Sequence, residues 1–257
     1  MKIAIIGTGK MGSWFAKLVS AGHEVAVFDI DSARASNLED VRILTCVEQM
    51  SMFKPEVLIN AVSLQHTVTA FEMAIPHLSP TCILCDITSI KGELQGYYQK
   101  CPFKVVSLHP MFGPTFADMG SLSKEAVIII EESDPVGAQF FQDLFEMLSV
   151  RIFRCSFSEH DKMMAYSLTL PFVSSMAFAA CVNGNAVPGT TFAKHRSIAS
   201  GLLSEDNHLL AEILFNPYSI AELEKITARL EHLKHIIKAK DHEELEEFLD
   251  RLRGNMP

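Results

Sequence analysis

Residues 3–12 read IAIIGTGKMG, an apolar strand-like run that passes into glycines at Gly7, Gly9 and Gly12. A helical stretch at 13–20 and a second apolar run at 24–28 follow in order. In this context the GxGxxG spacing is typical of a dinucleotide-binding loop. The first glycine permits the tight turn, the second lets the backbone approach a pyrophosphate, and the third lets the helix pack on the strand. The stretch therefore predicts a Rossmann-type unit, against the simpler interpretation that the glycines only close a turn.

Asp29 stands at the end of the second run. An acid at this place accepts hydrogen bonds from a ribose 2′-hydroxyl and repels a 2′-phosphate, which favours NAD over NADP. For Asp31, a role at the site and a role as the N-cap of the next helix stay open, because aspartate suits both. The candidate cofactor-binding residues are Gly7, Thr8, Gly9, Lys10, Met11, Gly12 and Asp29.

Beyond this loop, short apolar runs alternate with helical patterns through the first 155 residues. Runs that are apolar throughout indicate strands covered on both faces, and helices between them indicate parallel crossovers. The predicted fold class is α/β, with a doubly wound parallel sheet over residues 1–155. The predicted strands are Ile3–Ile6, Glu24–Phe28, Val41–Leu44, Val57–Ala61, Cys82–Ile87, Val105–Leu108, Ala126–Ile130 and Arg151–Arg154.

Residues 156–257 carry helical signals instead, so we predict a C-terminal all-helical domain that also dimerises. Capping-box patterns predict helix starts at 158–161 and 219–222, and 241–244 is a looser version with aspartate as the cap. In the first unit, Asp134-Pro135 predicts an N-cap followed by proline at the first helical position.

One segment, Met163–Phe192, contains no Asp, Glu, Lys or Arg. It is long enough for a membrane span, but it is interrupted by Ser, Thr, Pro and Asn and has no positive cluster beside it. A helix that is apolar all round is otherwise buried in a core or in a subunit interface. We predict that it is buried and that it pairs two subunits into a homodimer.

The composition limits the class of partner. The chain has 257 residues, is 48% hydrophobic and carries a net charge of −9, so we expect neither nucleic-acid nor membrane binding. No secretory signal is visible, which predicts a cytoplasmic protein, and the six cysteines are expected to be reduced. Cys82 and Cys85 would point to opposite faces of a strand, so we predict no metal site.

Two predicted strands end in polar residues, at Asp86–Lys91 and at His109-Pro-Met-Phe-Gly-Pro114. Ligands of open α/β sheets bind at such carboxyl ends. A neutral histidine held there by prolines suits a general base, although a structural role for His109 stays open from spacing alone. Ser89 is the expected hydrogen-bond partner of the other ring nitrogen.

Taken together, four motifs resemble the prephenate dehydrogenase family of tyrosine biosynthesis, particularly its chorismate-mutase-linked bacterial branch. These are Gly7–Gly12, Asp86-x-x-Ser89-x-Lys91, His109–Pro114 and His160-Asp161-x-x-Met164-Ala165. We expect no mutase domain in this chain. The resemblance implies NAD-dependent oxidative decarboxylation of prephenate, a homodimer formed by the helical domain, and an active site between the domains. It also implies that His109 is the base and that Ser89 contacts this histidine and the substrate hydroxyl.

The chain departs from the family pattern where the dianionic substrate needs cations. The family has a glutamine, a histidine and an arginine where the alignment places Leu168, Phe172 and Gly201. Candidates to replace these anchors are Lys194, His195 and Arg196, and Thr169 could offer a hydroxyl group in the same wall of the substrate pocket. The alternative for Lys194 and Arg196 is that they are ordinary solvated charges on the surface.

Two further residues keep alternative roles. Lys91 either orients the site or is a solvated charge at a helix start. His160 binds substrate, caps its own helix or holds the interdomain turn. The lost anchors leave two rival functions. One is an arogenate, or related cyclohexadienyl acid, dehydrogenase; the other is a noncatalytic NAD-binding regulator of the same fold.

Overall fold

The computed structural model describes residues 1–113, 115, 117–183 and 187–256. Pro114, the last residue of the HPMFGP motif, lies outside the described residues. Eight strands form one sheet in the order β3-β2-β1-β4-β5-β6-β7-β8. The strands are β1 Lys2–Ile6, β2 Glu24–Phe28, β3 Arg42–Ile43, β4 Val57–Asn60, β5 Ile83–Asp86, β6 Lys104–Pro110, β7 Ala126–Ile130 and β8 Arg151–Cys155.

Helices connect these strands and then form the C-terminal part of the chain. The helices between strands are α1 Lys10–Ser20, α2 Ser32–Ala35, α3 Met50–Phe53, α4 Leu64–Ala74, α5 Leu94–Tyr98 and α6 Pro135–Met147. Those after the last strand are α7 Phe157–Met164, α8 Leu170–Cys181, α9 Thr190–Leu203, α10 Asn207–Leu214, α11 Ser219–Ala239 and α12 His242–Gly254. A π-helical turn, Ala165–Thr169, joins α7 to α8. The predicted α/β sheet followed by helices is confirmed.

The sheet is parallel except for one pair. Strand order reverses at β1, which pairs with β2 on one side and β4 on the other, so a crevice opens at the carboxyl ends of these strands. The expectation of parallel crossovers throughout was wrong for β6 and β7, which are antiparallel. The described residues between Pro110 and Ala126 contain no helix that could carry the chain back across the sheet.

Apolar side chains bury both faces of the sheet, as the continuous runs predict. Ile3 and Ile5 face one layer of the core, and Ala4 faces the other. Cys82 and Cys85 fall in opposite layers, each buried and unpaired, so this CxxC cannot bind one metal ion. Among the described residues, no three His, Cys, Asp or Glu side chains are grouped closely enough to hold a metal.

The predicted helix starts had mixed outcomes. Asp134 caps α6 through the amides of Val136 and Gly137, with Pro135 at the first position, and Asp241 caps α12; both predictions are confirmed. The capping box of α7 was placed two residues too late, because Ser156 and Glu159 form it. The Ser219 box was also wrong, since the cap of α11 is Tyr218 and the Ser219 hydroxyl bonds inside the fold.

The charge-free segment is exposed in the single chain. No residue of α8 is buried, which contradicts burial within the protein's own core. The continuous helix Phe157–Cys181 contains an 18-residue window with a mean hydropathy of 1.4, so it meets the length and composition criteria for a membrane span. At its start, however, His160 and Asp161 are buried against the sheet unit (residues 1–155), so this end lies inside the protein. The subunit-interface prediction for α8 stays a prediction.

Candidate active site

A cavity of about 1370 Å³ occupies the crevice. Its wall combines the glycine motif, the residues that follow β4 and β5, the end of β6, and the turn between α9 and α10. Among the predicted site residues, the structure brings Gly7, Thr8, Gly9, Lys10, Met11, Asp29, Ser89 and His109 to this one wall. Gly12 lies directly behind it, against Gly7.

Close backbone contacts explain the glycines. Gly7 has a φ of +88°, and a Cβ there would lie 2.9 Å from the backbone of Ala61. At Gly12 a Cβ would lie 1.9 Å from the Gly7 carbonyl oxygen. A Cβ at Gly9 would meet nothing within 4 Å, which leaves an open cradle at the N-terminus of α1. Free amides and the helix dipole at this position suit a pyrophosphate.

These contacts predict different effects for two alanine variants. Gly9→Ala is expected to keep the thermal stability of the wild type and to weaken cofactor binding, because its methyl group points into the open cradle. Gly12→Ala is expected to lower both, because no shift smaller than a backbone movement relieves the clash with Gly7. Calorimetry of unfolding and NAD titration on both variants test this. Equal melting temperatures for the two variants would contradict the assignment.

Asp29 lies in the cavity wall but also holds the loop. Its Oδ2 accepts hydrogen bonds from the Thr8 backbone N (2.6 Å) and hydroxyl (2.9 Å), and its Oδ1 accepts from the Asp31 N. A carboxylate has about four acceptor positions, so a ribose hydroxyl can still donate to it. Asp31 caps α2 through the Ala33 amide, which settles its structural role.

His109 is 3% exposed at the end of β6 and lines the cavity. Its Nδ1 lies 3.0 Å from Nε2 of His160, so Nε2 is the ring nitrogen left for a ligand. The expectation that Ser89 bonds the other ring nitrogen was wrong, because His160 occupies that position from α7. Burial, together with the neighbouring His160 and Lys91, holds the pKa of His109 well below 6.5. The imidazole is therefore neutral at pH 7.

Behind His109, His160 is fully buried and is not part of the cavity wall. Its Nδ1 lies 2.8 Å from Oδ1 of Asp161. Asp161 also accepts the backbone amides of Lys91 and Gly92, each at 2.9 Å. Three roles were left open for His160, and its buried position behind His109 does not allow contact with a substrate in the cavity. His160 and Asp161 together join α7 to the loop that follows β5.

Lys91 is 1% exposed, which contradicts a solvated charge at a helix start. Its Nζ donates to Oδ1 of Asp86 (2.7 Å) and to the carbonyl of Leu108 (2.6 Å). It is not a wall residue, so it orients the site from behind by fixing the backbone just before His109. The sequence places Asp86 at the strand end and in the same motif as Lys91, but it did not predict that the two form a buried pair, nor that Tyr98 donates a hydrogen bond to Asp86.

The substrate end of the cavity differs from expectation. Leu168 and Phe172 line it, as their alignment implies. Thr169 is not in the wall, because its hydroxyl is buried against Ser219 Oγ at 2.7 Å. Lys194 and Arg196 are exposed on α9 and do not line the cavity in the single chain. The same helix places Leu202, rather than Gly201, in the wall.

Sequence reasoning also missed the acidic character of this wall. Among the described wall residues, the lysine and arginine side chains are those of Lys10 and Arg34, and both lie toward the cofactor end of the cavity. Lys10 pairs with Glu205 across the crevice at 3.1 Å, and Thr115 donates to the same carboxylate. The acids of the wall are Asp29, Glu125, Glu205, Asp206 and Glu212. The Ser204-Glu205-Asp206 run was the available sequence signal.

Comparison with known proteins gives a consistent result. The model of the prephenate dehydrogenase nucleotide-binding domain matches residues 16–152, which include Ser89, Lys91 and His109. A T-protein of Enterobacter agglomerans is 28% identical over 228 residues, covering 84% of this chain and 57% of that protein. A Methanocaldococcus jannaschii protein named "Probable arogenate/prephenate dehydrogenase" is 26% identical over 262 residues, covering 95% and 58%. The chain thus spans about half the length of the curated relatives it matches.

Solved structures share the fold over nearly the whole chain. Prephenate dehydrogenase from A. aeolicus, in complex with hydroxyphenyl propionate and NAD+, superposes with a TM-score of 0.82 at 20% identity, covering 99% of this chain and 96% of that one. Synechocystis arogenate dehydrogenase gives 0.75 at 19%, covering 99% and 98%. At these identities the likeness concerns the fold.

Proposed function

The chain belongs to the prephenate dehydrogenase family, and we propose that it catalyses the NAD-dependent oxidative decarboxylation of prephenate to 4-hydroxyphenylpyruvate in tyrosine biosynthesis. One observation carries the proposal: a neutral, buried histidine faces the same cavity as the glycine motif. The cofactor has to face the carbon that loses the hydride while the base faces the hydroxyl group on that carbon, and this crevice brings the two positions together.

The cofactor is NAD, and the residues present fit it. The open cradle at Gly9 and the start of α1 would hold the pyrophosphate, and Asp29 would accept a ribose hydroxyl. When bound, NAD supplies the acceptor for a hydride. The chain's own residues then have to bind the ring beside it, exclude water and move one proton.

His109 carries that proton. As the hydride leaves the ring carbon that bears the hydroxyl, the O–H bond breaks and Nε2 of His109 takes the proton, which leaves a carbonyl. The bond to the ring carboxylate then breaks and CO2 departs, and its electron pair makes the ring aromatic and leaves a negative charge on the oxygen. That oxygen takes a proton back from Nε2 of His109, which gives the phenol and restores the neutral base. Ser89 lines the same wall, and its proposed role is to hydrogen-bond the reacting oxygen.

A second substrate, arogenate, is favoured by the charges of the wall. Prephenate is a dianion, whereas arogenate carries an ammonium group in place of the keto oxygen. Asp206 and Glu212 approach from the C-terminal part of the chain (residues 157–254), where they would repel an anionic side chain and attract an ammonium group. The same chemistry at His109 serves either substrate.

The function is tested by incubating the purified chain with NAD and each substrate in turn. We expect reduced cofactor to form together with 4-hydroxyphenylpyruvate from prephenate, or with tyrosine from arogenate. The ratio of the two kcat/KM values assigns the substrate. If NAD binds but neither substrate turns over, the chain is the noncatalytic regulator instead.

We also propose that the chain works in the cytoplasm as a homodimer, with a division near residue 155 between a cofactor domain and a helical domain. The support is α8, whose apolar side chains are all at least partly exposed in the single chain. A second copy that covers this helix would remove them from water. Light scattering should give twice 28.5 kDa, and a monomer would contradict the dimer. The contribution of Lys194 and Arg196 to the substrate site stays a prediction.

A further inference from the structure

A chain of buried polar groups extends from His109 away from the cavity. It runs from Nδ1 of His109 to Nε2 of His160, and from Nδ1 of His160 to Oδ1 of Asp161, at 3.0 and 2.8 Å. Neither ring is more than 3% exposed, and Asp161 is 8% exposed. The chain crosses from the sheet unit to α7, so the two parts of the fold meet at the proposed base.

The donors around Asp161 fix where the protons lie. The Lys91 and Gly92 backbone amides can only donate, and both point at this carboxylate. These bonds and the one from His160 outweigh the effect of burial and hold the pKa of Asp161 below its usual value, so the carboxylate is ionised. An ionised carboxylate accepts only. Nδ1 of His160 must therefore carry a hydrogen.

The same reasoning continues one step outward. Burial lowers the pKa of His160, and a neutral imidazole with a hydrogen on Nδ1 has a bare Nε2. The contact with His109 then requires a hydrogen on Nδ1 of His109. Its own Nε2 is left with a lone pair, toward the cavity. The opposite tautomer would present an N–H group to the substrate, which cannot take a proton.

We propose that His160, oriented by Asp161, is a positioning residue that selects the proton-accepting tautomer of His109. It also stabilises the charged ring, because the Nδ1–H bond to His160 becomes charge-assisted once Nε2 is protonated. The kinetic part of this inference rests on the proposed function. A purely structural His160 would hold α7 against the sheet unit without influencing the tautomer of His109.

Two substitutions of His160 distinguish the positioning role from a purely structural one, because each keeps only one of the two hydrogen bonds that the ring makes. In His160→Gln the side-chain oxygen reaches the position of Nε2 and accepts from His109. In His160→Asn the amide lies at the position of Nδ1, where it donates to Asp161 and leaves His109 without an acceptor. A structural role is served at least as well by asparagine, which keeps the link between α7 and the loop at Lys91 and Gly92.

The first test is kinetic, with the NAD-bound enzyme and whichever substrate the wild type converts. We expect His160→Asn to lower kcat about 10- to 100-fold, by analogy with the removal of the hydrogen-bond partner of a metal-bound histidine, with KM nearly unchanged. His160→Gln should recover most of that loss. NAD affinity, measured by titration, should be the same in both. If kcat falls as much in His160→Gln as in His160→Asn, or more, the proposal is overturned.

A second test needs neither turnover nor a variant of His160. Heteronuclear NMR of nitrogen-labelled histidine in the wild type with NAD reports which ring nitrogen carries the hydrogen, and the His109 signals are identified by their absence in His109→Asn. We expect a hydrogen on Nδ1 and none on Nε2. A hydrogen on Nε2 of His109 would refute the inference even in an active enzyme. If the enzyme converts neither substrate, the proposed function fails while this measurement still decides the tautomer.

Discussion

Replacing His109 with asparagine is expected to lower kcat by about 10²- to 10⁴-fold, the usual contribution of a positioned general base. Asparagine places an amide N–H near the position of Nδ1, so it can still donate to His160, but it has no counterpart to Nε2. The fold and the glycine motif are untouched, and NAD should bind as in the wild type. Steady-state kinetics with a parallel NAD titration measures both quantities.

The matched control is His235→Asn, the same change at an exposed position of α11. It should keep wild-type kcat. If His109→Asn loses NAD affinity in the same proportion as kcat, the histidine supports the cofactor site and is not the base.

The pH profile gives a second expectation for this residue. Because burial holds the pKa of His109 well below 6.5, the neutral base persists into mildly acidic solution. In the wild type, kcat/KM should therefore stay level from about pH 8 to pH 6.5 and fall only below that. An acidic limb with its midpoint at or above 6.5 would show that the reacting histidine is not buried as described.

Local patterns were sufficient to predict the sheet. All eight strands lie where the runs place them. For the inner strands the reason is that a strand covered on both faces has to be mostly apolar, whereas the edge strands β3 and β8 are largely exposed. The antiparallel pairing of β6 and β7 was not visible in the same runs, because direction depends on how the segment between them crosses the sheet. Strand content is thus a local property and strand direction is not.

In the site, too, features set by neighbouring residues could be predicted from the sequence, whereas contacts between distant residues could not. The GxGxxG motif and the strand-end position of His109 depend on adjacent residues, and both lie in the cavity wall. The partner of His109 is 51 residues away, and Asp161 joins Lys91 across 70 residues. Ser89 was the plausible partner by strand order, but the three-dimensional approach of α7 decides the contact.

The burial of Lys91 could not be predicted from its residue type. Lysine is almost never fully buried unless it is paired, and its pair is Asp86, which is also fully buried at the end of β5. Asp86 further accepts hydrogen bonds from Thr88 and Tyr98. This cluster lies under the last residues of β6, so it supports the backbone that carries His109.

Lys91→Met is accordingly expected to lower the free energy of unfolding by about 3–5 kcal/mol, the cost of leaving one partner of a buried ion pair uncompensated. The control is Lys104→Met, which removes an exposed lysine from its pair with the partly buried Asp134 and should cost at most about 1 kcal/mol. Denaturant unfolding of both variants measures the difference. Equal costs would show that the Asp86–Lys91 pair does not stabilise the fold.

The pH dependence of the Lys91→Met defect identifies its cause. Burial raises the pKa of Asp86, but in the wild type the Lys91 ammonium and its hydrogen bonds outweigh that effect and hold the pKa below its usual value. Without Lys91 burial prevails, and the folded pKa lies above the unfolded value of about 3.9. The folded variant then binds more protons than its unfolded chain, so its deficit should shrink as the pH falls from about 8 toward 5. Lys91→Met/Asp86→Asn, which has no charge to bury, should recover part of the stability at pH 8. A deficit that is constant with pH would instead indicate lost packing of the lysine side chain.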